Sequence, residues 1–112
     1  RIRLSVVGGE SDITRTVNNN NIRDLCKRVV EKFDFIGPIT LQLIQDKNTL
    51  EVFLMEINPR LGGAVTASIK AGFDIPKMIF YDFLGIKNTI LENGKEILMK
   101  RYFEDTFYEI DN

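Results

Sequence analysis

The 112-residue chain contains no histidine and only one cysteine. Zinc sites in proteins are built mainly from the side chains of these two residue types, so one copy of the chain cannot assemble a tetrahedral zinc cage. The single thiol, Cys26, has no partner for an internal disulfide, and its surroundings predict a reduced cysteine packed within a helix. Any metal chemistry of this chain must therefore rely on oxygen ligands.

An excess of charge and a long hydrophobic run are also missing. The chain has 15 basic and 16 acidic residues, a formal net charge of −1, and basic residues spread along its length. This balance does not favour a nucleic-acid surface. No apolar run approaches the roughly 20 residues that span a bilayer, and the first residues show no secretory pattern. We therefore predict a cytoplasmic protein with neither a nucleic-acid nor a membrane partner.

Two common phosphate-binding patterns are absent as well: there is no G-x-x-x-x-G-K loop, and no G-x-G-x-x-G follows a strand. The length, with 44% hydrophobic and 28% charged residues, predicts one globular domain over residues 1–112 with enough apolar material for a small core. Nucleotide chemistry, if present, must use other residues.

The most informative segment is E-I-N-P-R, from Glu56 to Arg60, with Gln42 fourteen positions before Glu56. These residues place one carboxylate, two amides and one guanidinium close together in the sequence. Magnesium prefers oxygen ligands and commonly leaves several coordination positions to water and substrate phosphates. One carboxylate flanked by amide oxygens therefore suits an ion that is bound together with a nucleotide.

Strand periodicity predicts where these side chains lie. Residues 38–46 and 50–58 are rich in β-branched and apolar residues, and residues 47–49 between them indicate a hairpin turn. If Phe53, Met55 and Ile57 pack beside Leu41 and Leu43, the alternation of faces puts Gln42 with Glu56 and Asn58. Gln42 then lies opposite Glu56 or diagonal to it, with Cβ atoms within roughly 5 to 8 Å. The alternative is a set of polar residues on a solvated sheet face.

The rest of the chain predicts alternating short strands and helices. Apolar spacing and capping residues predict a strand over residues 2–7 closed by Gly8 and Gly9, and a helix that is capped by Asn20 or Asn21 and extends through about Phe33. They also predict helices over 64–71 and 75–83 and strands over 96–101 and 107–110. Phe80, Tyr81 and Phe83 are predicted to form a packing cluster.

Several segments carry a resemblance to a known family. The runs G-P-I-T-L-Q-L-I-Q-D, M-E-I-N-P-R-L-G-G and K-A-G-F-D-I-P-K-M-I-F-Y-D-F-L-G lie between Gly37 and Gly85. Together they resemble the C-terminal half of an ATP-grasp domain, and more narrowly the carbamoyl-phosphate synthase-like ATP-grasp proteins. The basic strand leading to G-G-E at residues 1–10 and the R-Y-F-E segment at 101–104 are similar to the same group. The E-x-N-x-R pattern also recurs in biotin carboxylases.

The resemblance implies an α+β fold, the C-terminal subdomain of the ATP-grasp fold, with an antiparallel sheet flanked by helices. It also implies ATP and Mg²⁺ or Mn²⁺ as cofactors. By position, Gln42 and Glu56 would ligate one ion, Glu56 and Asn58 a second, and Arg60 would contact the transferring phosphoryl group. Several relatives carry an acid where this chain has Gln42, so a single carboxylate serves two ions and metal affinity without nucleotide should be weak.

The implied activity is that of an ATP-dependent ligase, which activates a small carboxylate as an acyl phosphate for attack by an amine or ammonia. In ATP-grasp proteins the adenine pocket, the phosphate-binding lysines and the flexible glycine-rich loop come from segments N-terminal to this one. We therefore expect the chain to be part of a longer enzyme and to be inactive alone. Two alternatives remain: a carboxylate–amine ligase with a different substrate, and a non-catalytic nucleotide-binding or interaction module.

Five further charged residues have a possible role at such a site. Glu10 follows a glycine pair and could approach a ligand, and Arg1 and Arg3 share one strand face and could touch phosphate or substrate. Lys70 and Arg101 could help to bind an acidic substrate. For each of them, the alternative is a solvated surface charge. For Arg60, the alternative is an ion pair with a nearby acid such as Glu56 or Asp74.

Overall fold

The computed structural model describes residues 1–102 and 104–110. Phe103, within the R-Y-F-E segment, lies outside the described residues, as do Asp111 and Asn112. The elements in chain order are β1 (Ile2–Val7), β2 (Glu10–Arg15), α1 (Asn20–Val30), β3 (Thr40–Gln45), β4 (Val52–Asn58), α2 (Val65–Lys70), α3 (Ile75–Phe83) and β5 (Leu98–Lys100). This order confirms the predicted α+β class.

The strands of the described residues form two separate antiparallel sheets. One contains three strands in the order β1-β2-β5, and the other is the β3-β4 hairpin. Gly8 and Gly9 connect β1 to β2 with φ angles of +57° and +81°. Two consecutive positive φ angles are typical of the two-residue turns that match the twist of a hairpin. The glycine pair therefore forms the turn of a hairpin. The second strand of this hairpin, β2, was not predicted from the sequence.

The β3-β4 hairpin contains an irregularity immediately after the site residues. Gln42 pairs with Glu56, but the next pair is Leu43 with Leu54, so Met55 is an extra residue in β4. Such a bulge changes which side chains share a face beyond it. The predicted apolar set of Phe53, Met55 and Ile57 is wrong for Phe53, because this residue pairs with Ile44, two positions after Gln42.

The helices begin close to the predicted positions. The Asn19 side chain accepts a hydrogen bond from the Ile22 N–H at 3.1 Å and caps α1, which ends at Val30 and not at Phe33. The Asp74 side chain caps α3 in the same way, accepting from the Lys77 N–H at 3.1 Å. Such caps satisfy N–H groups that have no partner within the helix.

The tail differs most from the prediction. The expected strand over 96–101 is reduced to β5, and residues 107–110 form no strand. Phe107 and Ile110 are 89% and 88% exposed. Among the described residues, these side chains do not pack into the interior and no strand pairs with this segment, so no interaction stabilises a β-strand here.

Large side chains contribute little to the interior of the described residues. The buried residues are small or hydroxylated: Ala64, Ala67, Ala71, Ser11, Thr14 and Thr16. The predicted packing cluster is not buried, since Phe83 is 84% exposed and Phe80 is 59% exposed. The radius of gyration is 17.0 Å, whereas a compact domain of this length has about 13 Å. The sequence has enough apolar material for a small core, and the fully buried apolar residues of the described part of the chain are three alanines.

Hydrogen bonds satisfy the buried hydroxyl groups of Thr14, in β2, and of Thr16, just after this strand. The Thr14 hydroxyl donates to the Ile2 carbonyl at 2.8 Å, and the Thr16 hydroxyl donates to the Lys95 carbonyl at 2.8 Å. Buried polar groups are tolerated when they are paired in this way.

None of the described helices has the length and apolar character required to cross a membrane. That residues 1–112 form a single domain remains a prediction.

Candidate functional site

The β3-β4 hairpin brings the three predicted metal ligands to one face. Gln42 pairs directly with Glu56, and Thr40 pairs with Asn58, two positions away on each strand. Directly paired residues of antiparallel strands point to the same side of the sheet, and the side repeats every second residue. Gln42, Glu56 and Asn58 therefore share a face with Thr40. Of the two predicted arrangements, the directly opposite one is present.

Arg60 lies just beyond this face, after Pro59. Its N–H donates to the Asn58 carbonyl at 2.8 Å, and its own carbonyl accepts from the Thr40 hydroxyl at 2.8 Å. The guanidinium donates to the Leu61 carbonyl at 3.1 Å. Within the described part of the chain Arg60 has no carboxylate partner, so the alternative pairing with Glu56 or Asp74 is not present. The guanidinium is thus held near the strand end with its charge unneutralised.

A polar cleft of about 110 Å³ lies where the two sheets meet. The residues that line it come from β1 and the residue before it, from the β1-β2 turn and the start of β2, from β3, and from the end of β4 and the segment after it. They are Arg1, Arg3, Gly9, Glu10, Ser11, Thr40, Gln42, Asn58, Arg60, Gly62, Gly63 and Ala64. Glu56 is exposed on the strand face beside this cleft and does not line it, and Lys70, at the end of α2, does not line it either.

Arg101 joins the two sides of the cleft. Its Nη1 donates to Glu10 Oε2 at 2.5 Å and its Nη2 donates to the Gly63 carbonyl at 2.6 Å. Its guanidinium is therefore already paired within the protein, which does not favour the expected role of Arg101 in binding an acidic substrate. Glu10 does reach the cleft, as expected, but its charge is neutralised by Arg101.

Arg1 and Arg3 supply positive charge to the opposite wall of the cleft. A Cβ atom placed on Gly62 would lie 2.9 Å from Arg1 Nη2, so the guanidinium rests against this glycine. Although Arg1 is exposed as a residue, burial of its guanidinium lowers the Arg1 pKa, and the nearby charge of Arg3 lowers it further. A guanidinium is not deprotonated in proteins, so this wall of the cleft is cationic.

Two contributors to the site were missed by sequence reasoning. The Thr40 hydroxyl donates a hydrogen bond to the Arg60 carbonyl, and Gly62 leaves room for the side chains of Arg1 and Thr40. Thr40 was recognisable as a same-face neighbour of Gln42, two residues away in the strand. The contact of Gly62 with Arg1 gave no local signal, because these residues are far apart in the sequence.

The donor set fits a hard cation. Within residues 1–102 and 104–110, no three histidine, cysteine, aspartate or glutamate side chains lie together so that they could hold a metal ion by themselves. What the hairpin offers is one carboxylate and two amide oxygens, which suits Mg²⁺ or Mn²⁺ when phosphate oxygens complete the shell. Burial raises the pKa of the half-buried Cys26 thiol, and Cys26 is not among the residues that line the cleft.

A larger cavity of about 190 Å³ lies along α3. It is lined by Gly72, Phe73, Asp74, Lys77, Met78, Tyr81, Asn88, Thr89, Ile90 and Leu91. None of these residues belongs to the predicted site. The smaller polar cleft is therefore the candidate functional site, because it contains the groups that suit phosphate and metal chemistry.

Comparison with known proteins identifies the family. No curated protein matches the chain significantly. The family model described as ATP-grasp in the biosynthetic pathway with Ter operon matches residues 2–105, which include all five strands and all three helices. ATP-grasp proteins are generally ATP-dependent ligases and typically use ATP and Mg²⁺. The antiparallel sheets flanked by helices agree with this assignment. The chain therefore belongs to the ATP-grasp family.

Proposed function

We propose that this chain is the metal- and phosphate-binding part of an ATP-dependent ligase, of the carbamoyl-phosphate synthase-like type, that activates a carboxylate as an acyl phosphate. The observation that carries the proposal is the direct pairing of Gln42 with Glu56, with Asn58 on the same face and Arg60 beside it. The remainder of the ATP-grasp domain, including the adenine pocket, belongs to a longer cytoplasmic protein. The fragment alone is inactive.

The proposed reaction proceeds in two steps. A carboxylate oxygen of the substrate attacks the γ-phosphorus of ATP, the bond from that phosphorus to the bridging oxygen breaks, and ADP leaves. An amine or ammonia nitrogen then attacks the acyl carbon, inorganic phosphate departs, and the nitrogen loses a proton. Bound magnesium ions would neutralise charge on the terminal phosphates during the first step.

The residues of this chain position the groups that react. Gln42, Glu56 and Asn58 would hold Mg²⁺ or Mn²⁺ through their side-chain oxygens, and Glu56 would supply the only carboxylate. Arg60 provides a planar pair of N–H donors for the transferring phosphoryl group, a geometry that a lysine lacks. The hydroxyl of Thr40 donates to the carbonyl of Arg60 and so holds the backbone of Arg60 in position. One carboxylate is too little charge to retain two divalent ions, so metal binding should depend on the nucleotide phosphates.

A metal titration of the full-length protein tests this proposal. Mn²⁺ binding, measured by calorimetry, should be weak alone and strengthen at least tenfold with a non-hydrolysable ATP analogue. Glu56→Ala should abolish this enhancement. Glu51→Ala is the matched control, because Glu51 is an exposed glutamate of the same hairpin outside the site, and it should bind like the wild type. Equal metal binding by the Glu56→Ala variant and the wild type would contradict the metal-site assignment.

The two alternative functions predict different outcomes of an ADP-release assay with the same full-length protein. A ligase of the proposed type releases ADP when a suitable carboxylate is added, and hydroxylamine traps the acyl phosphate as a hydroxamate. A carboxylate–amine ligase with a different substrate responds to another acid in the same assay. A non-catalytic module binds the nucleotide with metal but releases no ADP.

A further inference from the structure

We propose that the acid activated at this site carries a second anionic group, and that Arg1 and Arg3 bind it. The second group is a carboxylate or a phosphate, both of which present paired oxygens to a guanidinium. This inference rests on the proposed ligase function, because it names the substrate class for the same cleft.

The first support is the position of the two arginines. Arg1 and Arg3 line the same cleft as Gln42, Asn58 and Arg60, but they come from the other sheet. Arg3 pairs with Thr14, the fully buried residue of β2. Arg1 lies two positions before Arg3 and so is on the same face. The cleft therefore has a metal- and phosphate-binding side on the β3-β4 hairpin and a separate cationic wall on β1.

The second support is that this positive charge is not neutralised. Among the described residues, the only ion pair is that of Arg101 with Glu10. Glu10 is the only acidic residue that lines the cleft, and its carboxylate already accepts a hydrogen bond from Arg101. Arg1 and Arg3 lie close together: burial lowers the pKa of Arg1, and the nearby charge of Arg3 lowers it further. Two neighbouring cations without a counter-ion repel each other, and a bound anion would relieve this repulsion.

The third support is that the other anions of the reaction have partners elsewhere. Bound metal ions neutralise the terminal phosphates of ATP, and Arg60 is available for the transferring phosphoryl group. A monocarboxylate or bicarbonate would place its one reacting group near Arg60 and leave Arg1 and Arg3 without a counter-ion. A dianionic acid occupies both sides of the cleft, with one group at the reacting centre and one at the β1 wall.

Gly62 is part of the same arrangement. The Arg1 guanidinium rests against it, and a Cβ there would also lie 3.2 Å from the Thr40 hydroxyl. A Cβ at 2.9 Å from Arg1 Nη2 requires the arginine side chain to move. The absence of a side chain at this position therefore leaves room for the guanidinium in the cleft.

Binding of small anions to the full-length protein tests the inference. The protein is first saturated with Mg²⁺ and a non-hydrolysable ATP analogue, so that the metal and nucleotide sites are filled. Butyrate, glutarate and 3-phosphonopropionate are then titrated by calorimetry. We expect glutarate or 3-phosphonopropionate to bind at least tenfold more tightly than butyrate, and the stronger of the two identifies the second group as carboxylate or phosphate.

Variants assign this preference to residues. Arg3→Gln and Arg1→Gln should each weaken binding of the dianion by on the order of tenfold, since a charge-assisted contact is lost, with the affinity for butyrate and for the nucleotide unchanged. Arg15→Gln is the matched control: Arg15 is an exposed arginine of β2 that pairs with Ile2, on the opposite face from Arg3. This variant should behave like the wild type.

Two results would overturn the inference while leaving the ligase proposal intact. One is equal or undetectable binding of the dianions relative to butyrate by a protein that still binds nucleotide with metal. The other is a loss of nucleotide affinity in Arg3→Gln that matches the loss of dianion affinity, because the arginines would then serve ATP. Failure of metal-dependent nucleotide binding itself would instead contradict the proposed function.

Discussion

Arg101 offers the most direct test of how the cleft is held together. Its guanidinium donates one bond to Glu10 in the β1-β2 sheet and one to the carbonyl of Gly63, just after the segment that carries Asn58 and Arg60. The Arg101 side chain is 29% exposed and that of Glu10 is 69% exposed. Replacing Arg101 with glutamine removes the charge and shortens the side chain, so that both bonds are lost.

The expected magnitude follows from the exposure of these groups. An ion pair as solvated as this one contributes about 0.2–1 kcal/mol, and a hydrogen bond to a backbone carbonyl contributes about 0.5–1.5 kcal/mol. Arg101→Gln should therefore lower the free energy of unfolding by about 1–2 kcal/mol. If the same contacts hold Arg60 and Asn58 in place, the affinity for Mn²⁺ with an ATP analogue should also fall, by up to about tenfold, which corresponds to about 1.4 kcal/mol.

The assay combines urea unfolding with metal–nucleotide binding on the same samples of full-length protein. A double-mutant cycle of Arg101→Gln and Glu10→Gln should give a coupling energy of about 0.2–1 kcal/mol, because each substitution removes the same ion pair. Arg101→Lys should recover part of the stability, since an ammonium can reach one acceptor but lacks the fork that reaches both. Lys100→Gln, an adjacent exposed cation on β5, is the control. Additive single effects, or a stable Arg101→Gln protein with unchanged nucleotide binding, would refute the reasoning.

Three further predictions concern Arg60 and the β3-β4 hairpin. Arg60→Ala should lower the kcat of acid-stimulated ADP release by on the order of 10² with a much smaller change in the ATP KM, and Arg60→Lys should recover part of it; a normal kcat in folded protein would remove Arg60 from the mechanism. Leu50 has a φ of 60° and is 65% exposed, so Leu50→Gly should raise the free energy of unfolding by about 1 kcal/mol and Leu50→Ala should not; equal urea midpoints for these two variants would contradict this. The N–H groups of Thr49 and Asn48 donate to Asp46 and lower its pKa below the ordinary 3.8. The stabilisation is therefore present above the unfolded-state pKa and is lost as the pH falls through the folded-state pKa. The stability difference between wild type and Asp46→Ala should accordingly be constant above about pH 5 and shrink at lower pH, and a pH-independent difference would contradict the role of this carboxylate.

The β3-β4 hairpin, with its predicted metal ligands on one face, was predictable because its information is local. Side chains alternate along a strand, and a short connection restricts the register to a few choices, so the sequence places Gln42 on the same face as Glu56 and Asn58. The observed pairing of Gln42 with Glu56 is one of the two registers expected. The bulge at Met55 lay beyond this reasoning, since an extra residue leaves no mark on the apolar alternation of β4.

Strand β2 shows why the rest of the sheet was missed. Its sequence, E-S-D-I-T-R, contains one large apolar residue, and polar strands are usually assigned to the surface. Thr14 is nevertheless fully buried, because its hydroxyl donates to the Ile2 carbonyl. Burial here depends on hydrogen bonds to residues 12 positions away along the chain, and no periodicity of hydrophobic residues can indicate this.

Arg101 and Glu10 are 91 positions apart in the sequence, and their contact determines which charges remain free for a ligand. Sequence alone offered each of them as a possible ligand-binding charge. Once they neutralise each other, the cationic character of the cleft rests on Arg1, Arg3 and Arg60. Sequence composition records the number of charges but not their pairing, so the substrate class could only be inferred from the structure.

The junction between the two sheets is held largely by polar contacts, and this determines which substitutions should affect the site. The described residues bury only small or hydroxylated side chains, and the residues that bridge the cleft are Arg101, Glu10 and the loop carbonyl of Gly63. In a protein with a large apolar core, the relative position of two sheets is fixed by close packing of many side chains. Here a few charge-assisted bonds have that role. Substitution of a bridging polar residue should therefore disturb the cleft more than truncation of an exposed apolar side chain such as Phe83.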